Sequence, residues 1–526
     1  MGIASGNTFA EGPDDSSPGG LVWIDGTGLA SEILMRKSEQ YPTTETPKPE
    51  ETPQSGGYAA GDTRTFTCVD FHREEDFTIN ATCEAVGEYC YIFVEAGQTM
   101  PRRETEALAD AFDTAIFPMD TEVFGNAPNE DGDPHIFLLM SDIRDEEYYN
   151  NSTRYVIGGY FSKRVENGIE IIVIDLEADP SEINETIAHE FQHLIHHYCD
   201  PGELKWIDEG CSMYAEFVCL GKKQQDAVWH YMRQPDTPLI VADYRFNHDD
   251  ENNAHYGASY LWTLYLSENF GDLSNRPGHE RFIRDLVNSS DTGIQGIDAT
   301  LALHGYDERF DDIFKQWVVA NYLESEGEDP PRGYASIHYP KPPSIAGHID
   351  LEELDGSTYS FPEINMHSWS TAYYKVETDD PERVAFANDQ GFWNTSFTDK
   401  NGDVIIVISP LNEGGVVTLT VTREPEERIV DFTANVTRGS APLAVQFTDT
   451  SSGNITARLW DFGDTETSLE QNPIHTCSKA GMYIVNLTVT TASGMTENEE
   501  KEGYITVKPA REKTAIYEDY RIVAPE

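Results

Sequence analysis

Between Asp329 and Ser344 the chain reads DPPRGYASIHYPKPPS, and the periodicity of its apolar residues changes across that segment. Upstream, helical spacing recurs over Thr105–Ile116, Tyr256–Glu268 and Asp311–Leu323, between short apolar strands such as TFTCVDF, CYIFVEA, HIFLLMSDI and EIIVIDL. Downstream, helical spacing stops and short strands take over, as in VIIVISP and GVVTLTVTRE. A helix stripe and a two-layer β pattern call for different cores, so the sequence predicts a multidomain chain. An α+β domain is expected over 62–325, an all-β sandwich over 326–424, a second all-β unit over 425–508 and a tail over 509–526. The length of 526 residues, more than one hydrophobic core usually organises, agrees. Residues 1–61 are rich in Gly, Pro, Thr and Glu, with PTTETPKPEETP at Pro42–Pro53, and read as a disordered linker.

Charge narrows the partners. There are 36 basic against 93 acidic residues, a net charge of −57. A surface this acidic repels phosphate backbones and anionic lipid, so nucleic acid is not an expected partner. No apolar run reaches 18 residues, so no membrane span is expected. Residues 1–20 lack a basic start and an apolar core, so a leader is expected to have been removed or to lie outside this sequence. An extracellular location is nevertheless expected, on sequons at Asn80, Asn151, Asn184, Asn288, Asn394, Asn435, Asn454 and Asn486, which also make a glycoprotein. Seven cysteines leave one unpaired in a monomer, and Cys83 with Cys90 is the expected disulfide, across the short Glu84–Tyr89 connection.

One helix carries the chemistry. Asp179, Pro180 and Glu182 read as cap, first turn and capping box. Ile183, Ile187, Phe191 and Leu194 then share about 80° of arc, an amphipathic helix running to about Tyr198. Within it, residues 189–193 read His-Glu-Phe-Gln-His. Histidines four apart stand about 40° from each other, so both imidazoles can reach one ion from one turn. Zn²⁺ suits neutral imidazole, and Glu190 follows the first ligand, where it can act as general base toward a water. Glu209 lies sixteen residues after His193, in WIDEGCSMYAEF, and Glu216 seven residues later, about 20° round the same helical face. One carboxylate can ligate while the other accepts the spare ring N–H of a ligand histidine.

In these motifs, AHEFQHLIHH followed by WIDEGCSMYAEF, the sequence resembles the gluzincins, and within them the hyicolysin family of secreted microbial metallopeptidases. The similarity runs from about 65 to 323, through GGYF at Gly158–Phe161, NAHYGASYLWTLYL and FKQWVVANYL. The resemblance implies a zincin-like α+β catalytic domain with His189, His193 and Glu209 as zinc ligands, Glu190 as base and Glu216 orienting a ligand. It also implies an oxyanion donor at His255 or Tyr256, for which helix packing is an equal alternative. The interval between His193 and Glu209 is shorter than in thermolysin or the gluzincin aminopeptidases. From about 428 to 508, SAPLAVQFTDTSSG, WDFGD and NPIHTCSKAGMYIVNLTVT resemble the polycystic-kidney-disease (PKD) fold. That resemblance implies a seven-stranded immunoglobulin-like sandwich serving as a spacer or as a module that binds cell surface or matrix.

The implied activity is zinc endopeptidase on protein or peptide substrates. Metzincins want Gly and His where His196 and Cys199 stand, and the aminopeptidase reading lacks a Gly-x-Met-Glu-Asn motif. A non-enzymatic adhesion protein on a degenerate zincin scaffold is the alternative from another class; here every chemical residue is present. NEDGD offers Asn129, Asp131 and Asp133 to calcium, but no closing glutamate follows and an acidic turn is the preferred reading. The same preference holds for Asp461 and Asp464 in WDFGD.

Overall fold

The structure is a computed structural model. It describes residues 22–25, 27, 30, 57–129, 132–150, 155–161, 171–178, 182–241, 250–271, 280–323, 333–337, 343–351, 358–423, 430–452, 455–491 and 496–510. The chain divides into two compact units, Met1–Thr422 and Arg423–Glu526.

The first unit is built on a seven-stranded sheet of β1 (Val22–Asp25), β2 (Thr63–Asp70), β3 (Glu75–Val86), β4 (Cys90–Glu95), β5 (Ile136–Ser141), β6 (Tyr155–Phe161) and β7 (Ile171–Asp175). Their order is β1-β6-β7-β5-β4-β3-β2. Strands β4, β5 and β7 are parallel, whereas β6 is antiparallel to β7. The central strands are buried on both faces, which is why they read as continuous apolar runs. Ile92, Val94, Leu138, Met140, Ile172 and Ile174 face the helices, while Tyr91, Phe93, Phe137, Leu139, Ile171 and Val173 build a second cluster on the other side.

Helices follow the sheet: α1 (Arg102–Ala111), α2 (Phe117–Val123), α3 (Ile183–Cys199), α4 (Lys205–Leu220), α5 (Gln225–Arg233), α6 (Asp250–Phe270), α7 (Glu280–Val287), α8 (Gly293–Leu303) and α9 (Phe310–Leu323). A π turn at Phe112–Ile116 joins α1 to α2, so the expected helix continues beyond Ile116. The helix α3 lays Ile187, Phe191 and Leu194, all fully buried, against the sheet. Each such side chain contributes about 1.5–3 kcal/mol by leaving water. Its start differs from the expected capping box: Glu182 is itself the N-cap and makes no side-chain capping bond, while Asp179 and Pro180 lie outside the described residues. Glu185, in the first turn, is instead paired with Lys222 at 2.5 Å.

The β-sandwich at 345–423 has a four-stranded sheet of β13 (Phe392–Thr398), β14 (Val404–Pro410), β11 (Ala372–Glu377) and β8 (Ile345–Asp350). Three-stranded and two-stranded sheets, made by β12 (Val384–Asn388), β16 (Leu419–Arg423) and β9 (Thr358–Ser360) and by β10 (Ile364–Met366) and β15 (Gly415–Val417), complete it. The period-two alternation of β14 divides its side chains between two cores. Val404, Ile406 and Ile408 fill the sandwich, whereas Ile405 and Val407 belong to the core of the helical region. Trp369 packs on Phe310 and Phe314, and the Tyr373 hydroxyl donates to the Val318 carbonyl at 2.6 Å. The sandwich and the α+β region thus share one core inside one unit.

Three expectations are corrected. Residues 1–61 are not disordered throughout: the apolar run at Val22–Asp25 adds β1 to the sheet beside β6, and Thr27 and Ala30 are buried. Pro42–Pro53 lies outside the described residues. All seven cysteines are free thiols, because Cys83 and Cys90 point to opposite faces of the sheet, each into a different core. Among the sequons, Asn288 donates its amide to the carbonyls of Phe124 and Arg284, and Asn184 sits half-buried on α3, which suits neither for a glycan. Asn151 and Asn454 lie outside the described residues.

The second unit pairs a sheet of β17 (Phe432–Ala434), β19 (Leu443–Asp449) and β22 (Ile474–Cys477) with a sheet of β18 (Arg438–Ser440), β24 (Thr496–Lys508), β23 (Gly481–Thr491), β20 (Ile455–Asp461) and β21 (Thr467–Ser468). That is eight strands among the described residues where the resemblance implied seven. The chain after WDFGD folds back so that Ser468 pairs with Trp460 and Thr467 with Asp461. Trp460 is fully buried at the centre of an apolar core, its indole N–H donating to the Glu470 carbonyl at 2.9 Å. Residues 511–526, expected as a tail, lie outside the described residues.

Candidate metal centre

Helices α3 and α4 meet across their polar faces. A Cβ on Gly210 would stand 2.4 Å from the Thr263 hydroxyl and 2.6 Å from the Ser259 carbonyl, so glycine lets α4 lie directly on α6. The neighbouring Glu209 is thereby fixed facing α3. The left-handed Gly221 (φ +80°) ends α4 one turn after Glu216.

His189, Glu190, His193 and Glu209 are all buried. The Glu209 Oε2 atom lies 3.6 Å from His189 Nε2 and 3.6 Å from His193 Nε2. These three atoms lack hydrogen-bond partners in the protein, and the donor atoms of the trio all fall within 4.8 Å of one another. An ion at zinc's usual ligand distances of about 2.0–2.2 Å would set tetrahedral ligands about 3.3–3.6 Å apart, so the trio fits Zn²⁺. Two nitrogens and one carboxylate oxygen are also the donor types of catalytic zinc sites.

The ring nitrogens turned away from this point each have a carboxylate nearby. Glu216 Oε1 lies 2.8 Å from His189 Nδ1. Asp208 lies 3.0 Å from His193 Nδ1 through one oxygen and 3.0 Å from His196 Nδ1 through the other. Both histidines of the trio present Nε2 to a common point, with a carboxylate close behind each ring. His196 belongs to this supporting layer, where Gln192 Nε2 also approaches its Nδ1 at 3.2 Å.

The electrostatics agree with the donor set. Burial alone would depress the His189 imidazole, but Glu209 and Glu216 raise it to about 10. Burial is likewise overcome at His193, which Asp208 and Glu209 hold well above its ordinary value. Glu209, which burial would raise, is drawn down to about 2 by the two imidazoles. Asp208 falls further below the carboxylate range, by the charges of His193 and His196 against the cost of burial. The carboxylates thus hold positive charge at this buried point, and a divalent cation supplies it in place of two protons.

Glu190, one residue beyond His189, is reached from an unexpected direction. The Thr27 hydroxyl donates to Glu190 Oε2 at 2.5 Å and accepts the Phe161 backbone N–H at 2.7 Å.

A PKD domain model matches residues 422–507. Over 258 residues the chain is 25% identical to the neutral metalloprotease ShpI of Staphylococcus hyicus, covering 45% of this chain and 58% of that protein. It is 32% identical over 127 residues to the pre-pro-metalloprotease PrtV of Vibrio cholerae, 22% of this chain and 14% of that one. The chain is homologous to these metalloproteases and carries a PKD domain. It spans little more than half of ShpI (58%) and a small part of PrtV (14%). The crystal structure of the first PKD domain of PrtV is 37% identical over 15% of this chain and 95% of that domain, with a TM-score of 0.14.

Around the trio of this metalloprotease homologue, two further residues escaped the motif reading, the half-buried Asp208 and the buried Asp120. Asp208 adjoins Glu209 in sequence, and the need of a second ligand histidine for a carboxylate partner was its available signal. Asp120 carried none. Fully buried, it contacts Cys219 Sγ at 3.0 Å, and burial pushes its carboxyl up to about 8. His255 and Tyr256 both lie on α6. His255 Nδ1 donates to the Pro238 carbonyl at 3.1 Å, and Tyr256 packs half-buried on the main core. The calcium reading of NEDGD gains no support. Asp133 accepts the Tyr91 hydroxyl at 2.7 Å and is paired with His135, while Asp131 lies outside the described residues. In WDFGD, Asp461 caps the Gly463 N–H, and Asp464 takes the Glu466 N–H and His475 Nε2.

Proposed function

We propose that the chain is a zinc-dependent endopeptidase acting outside the cell, with His189, His193 and Glu209 as the metal ligands. The observation that carries this reading is the convergence of two Nε2 atoms and one carboxylate oxygen, each histidine backed by a carboxylate of its own. Bound there, zinc would acidify a water and polarise a peptide carbonyl.

Glu190 accepts the proton from the attacking water and returns it to the leaving amine, so one carboxylate serves both steps. Glu216 and Asp208 stand behind the imidazoles and turn Nε2 of each toward the metal. The developing oxyanion needs a second donor. A neutral His255 commits its Nδ1–H to Pro238 and leaves Nε2 an acceptor, so the Tyr256 hydroxyl is the better donor of the two. The described helices contain none long and apolar enough to cross a membrane, in keeping with an exported enzyme. The PKD unit has its own core and serves as a spacer or as a contact to cell surface or matrix.

The test is metal content together with cleavage of a denatured protein. About one zinc per chain is expected, with cleavage lost in chelator and regained on adding zinc. A folded chain that never takes up zinc, or that cleaves equally in chelator, would overturn the reading.

A further inference from the structure

The carboxylate behind His193 is shared. Asp208 Oδ2 lies 3.0 Å from His193 Nδ1, and Asp208 Oδ1 lies 3.0 Å from His196 Nδ1, so one side chain stands between a residue of the trio and a third imidazole. His196 follows His189 by seven residues, about 20° round α3 but about 10.5 Å further along it, too far to reach the point where the trio converges. Its Nδ1 is turned to Asp208 instead, with Gln192 Nε2 3.2 Å away, and its Nε2 is buried with no partner in the protein. On the far side of the ring, the charge of His196 acts on Glu203. Glu203 Oε1 accepts the N–H groups of Leu204 at 2.6 Å and Gly293 at 2.8 Å, at the starts of α4 and α8.

Exposure separates the members of this chain of contacts. The Asp208 side chain is 28% exposed, whereas those of His193 and His196 are 1% exposed. Water therefore competes for Asp208 and for neither ring. Paired with His193 alone, the carboxylate would be free to turn about its last torsion, which has no sharp preferred angle, and one oxygen would go to solvent. A second buried imidazole on the other oxygen fixes both oxygens, and with them the plane of the carboxylate.

We propose that His196 is a positioning residue: it pins Asp208 against His193 and so sets the direction in which His193 presents Nε2 to a metal ion. The inference rests on His193 being a ligand, as in the peptidase reading, and adds a residue outside the HExxH spacing that tunes the site. His196 has no place in the trio, so its effect passes through Asp208. A ring that only filled space would need its volume and not its nitrogen.

Zinc affinity of the full chain, measured by competition with a chromogenic chelator, tests this in four variants: His196→Phe, His196→Asn, Asp208→Ala, and His196→Phe combined with Asp208→Ala. Phe keeps a ring and has no N–H, while Asn is smaller but sets an amide N–H where Nδ1 stands. We expect His196→Phe to weaken zinc binding by roughly tenfold, the lower end of what losing a support behind a ligand costs. His196→Asn should restore most of that loss. The double variant should bind zinc no more weakly than Asp208→Ala alone, because the two residues act as one unit. His196→Leu takes the place of His196→Phe if the zinc-free Phe variant has lost its cooperative thermal transition. Losses that add in the double variant, an Asn variant as weak as the Phe one, or a Phe or Leu variant that binds as tightly as the unchanged chain each overturn the role of His196 and leave the peptidase standing. An unchanged chain that takes up no zinc overturns both.

Discussion

The two units each bury a histidine against acidic residues, and they use the arrangement in opposite ways. In the PKD unit, His475 stacks on Phe462 at 4.1 Å and its Nε2 meets Asp464 at 2.9 Å. Asp464 is further occupied by the Glu466 N–H, and Asp461 by that of Gly463. Each carboxylate is engaged within its own turn, around a core that is otherwise apolar. In the first unit, His189, His193 and Glu209 are as deeply buried, yet the three atoms that face one another stand 3.6 Å apart across two of their edges, too far to bond. Burying polar atoms without partners costs on the order of 1–3 kcal/mol each, so a fold keeps such a cluster only when something else satisfies it. A polar cluster that closes on itself supports a turn. One that leaves three such atoms aimed at a point has the geometry to hold an ion.

The largest effect expected from this contrast is at Glu190. Glu190→Gln keeps the shape of the side chain and removes the proton acceptor, so kcat should fall by roughly 10²–10⁴-fold with zinc content unchanged. Loss of zinc together with activity would assign Glu190 to the scaffold. Next comes Tyr256→Phe, which removes one hydroxyl. If that hydroxyl meets the oxyanion, kcat should drop by about 10²–10³-fold while KM and zinc stay put. A change under threefold would return Tyr256 to packing and leave the donor elsewhere on α6.

Smaller effects separate ligands from their supports. Glu209→Ala should abolish tight zinc binding, whereas Glu216→Ala and Asp208→Asn should each weaken it by about 10–100-fold, measured by competition with a chromogenic chelator. Asp208 is the sharper case because it lies 3.0 Å from both His193 and His196. Full affinity in Asp208→Asn would mean that the orientation of His193 comes from packing alone.

How legible this was depends on range. Histidines four apart on one helix, and glutamates seven apart on the next, are local spacings, and the structure brings His189, His193, Glu209 and Glu216 together. The central strands were legible for the same reason: their apolar runs show burial on both faces. What spacing does not carry is which distant segment completes a surface. Thr27 reaches Glu190 across 163 residues of sequence, from a region whose composition reads as linker. The shared core of the sandwich and the helices is similarly hidden, because the alternation of β14 reveals two buried faces but not what covers the second. The Cys83–Cys90 pairing failed on the same point, since closeness in sequence says nothing about facing.

The smallest effect is expected in the PKD unit, and it bears most directly on the comparison. Asp464→Asn weakens its contacts to His475 and to the Glu466 N–H, without touching the apolar centre around Trp460. Both partners remain able to turn toward solvent or a neighbouring carboxylate, because Asp464 is about a quarter exposed (24%) and Glu466 lies 3.6 Å from His475 Nδ1. The loss should therefore be about 1 kcal/mol, a hydrogen bond's ordinary net contribution. It should appear as a lower denaturation midpoint for the second unit, followed by the fluorescence of Trp460. Zinc content and peptide hydrolysis should not change, since none of the trio or its supporting carboxylates lies beyond residue 422. A fall in either would mean that the acidic turn does more than hold its own strand, and would remove the distinction between a closed polar cluster and an open one.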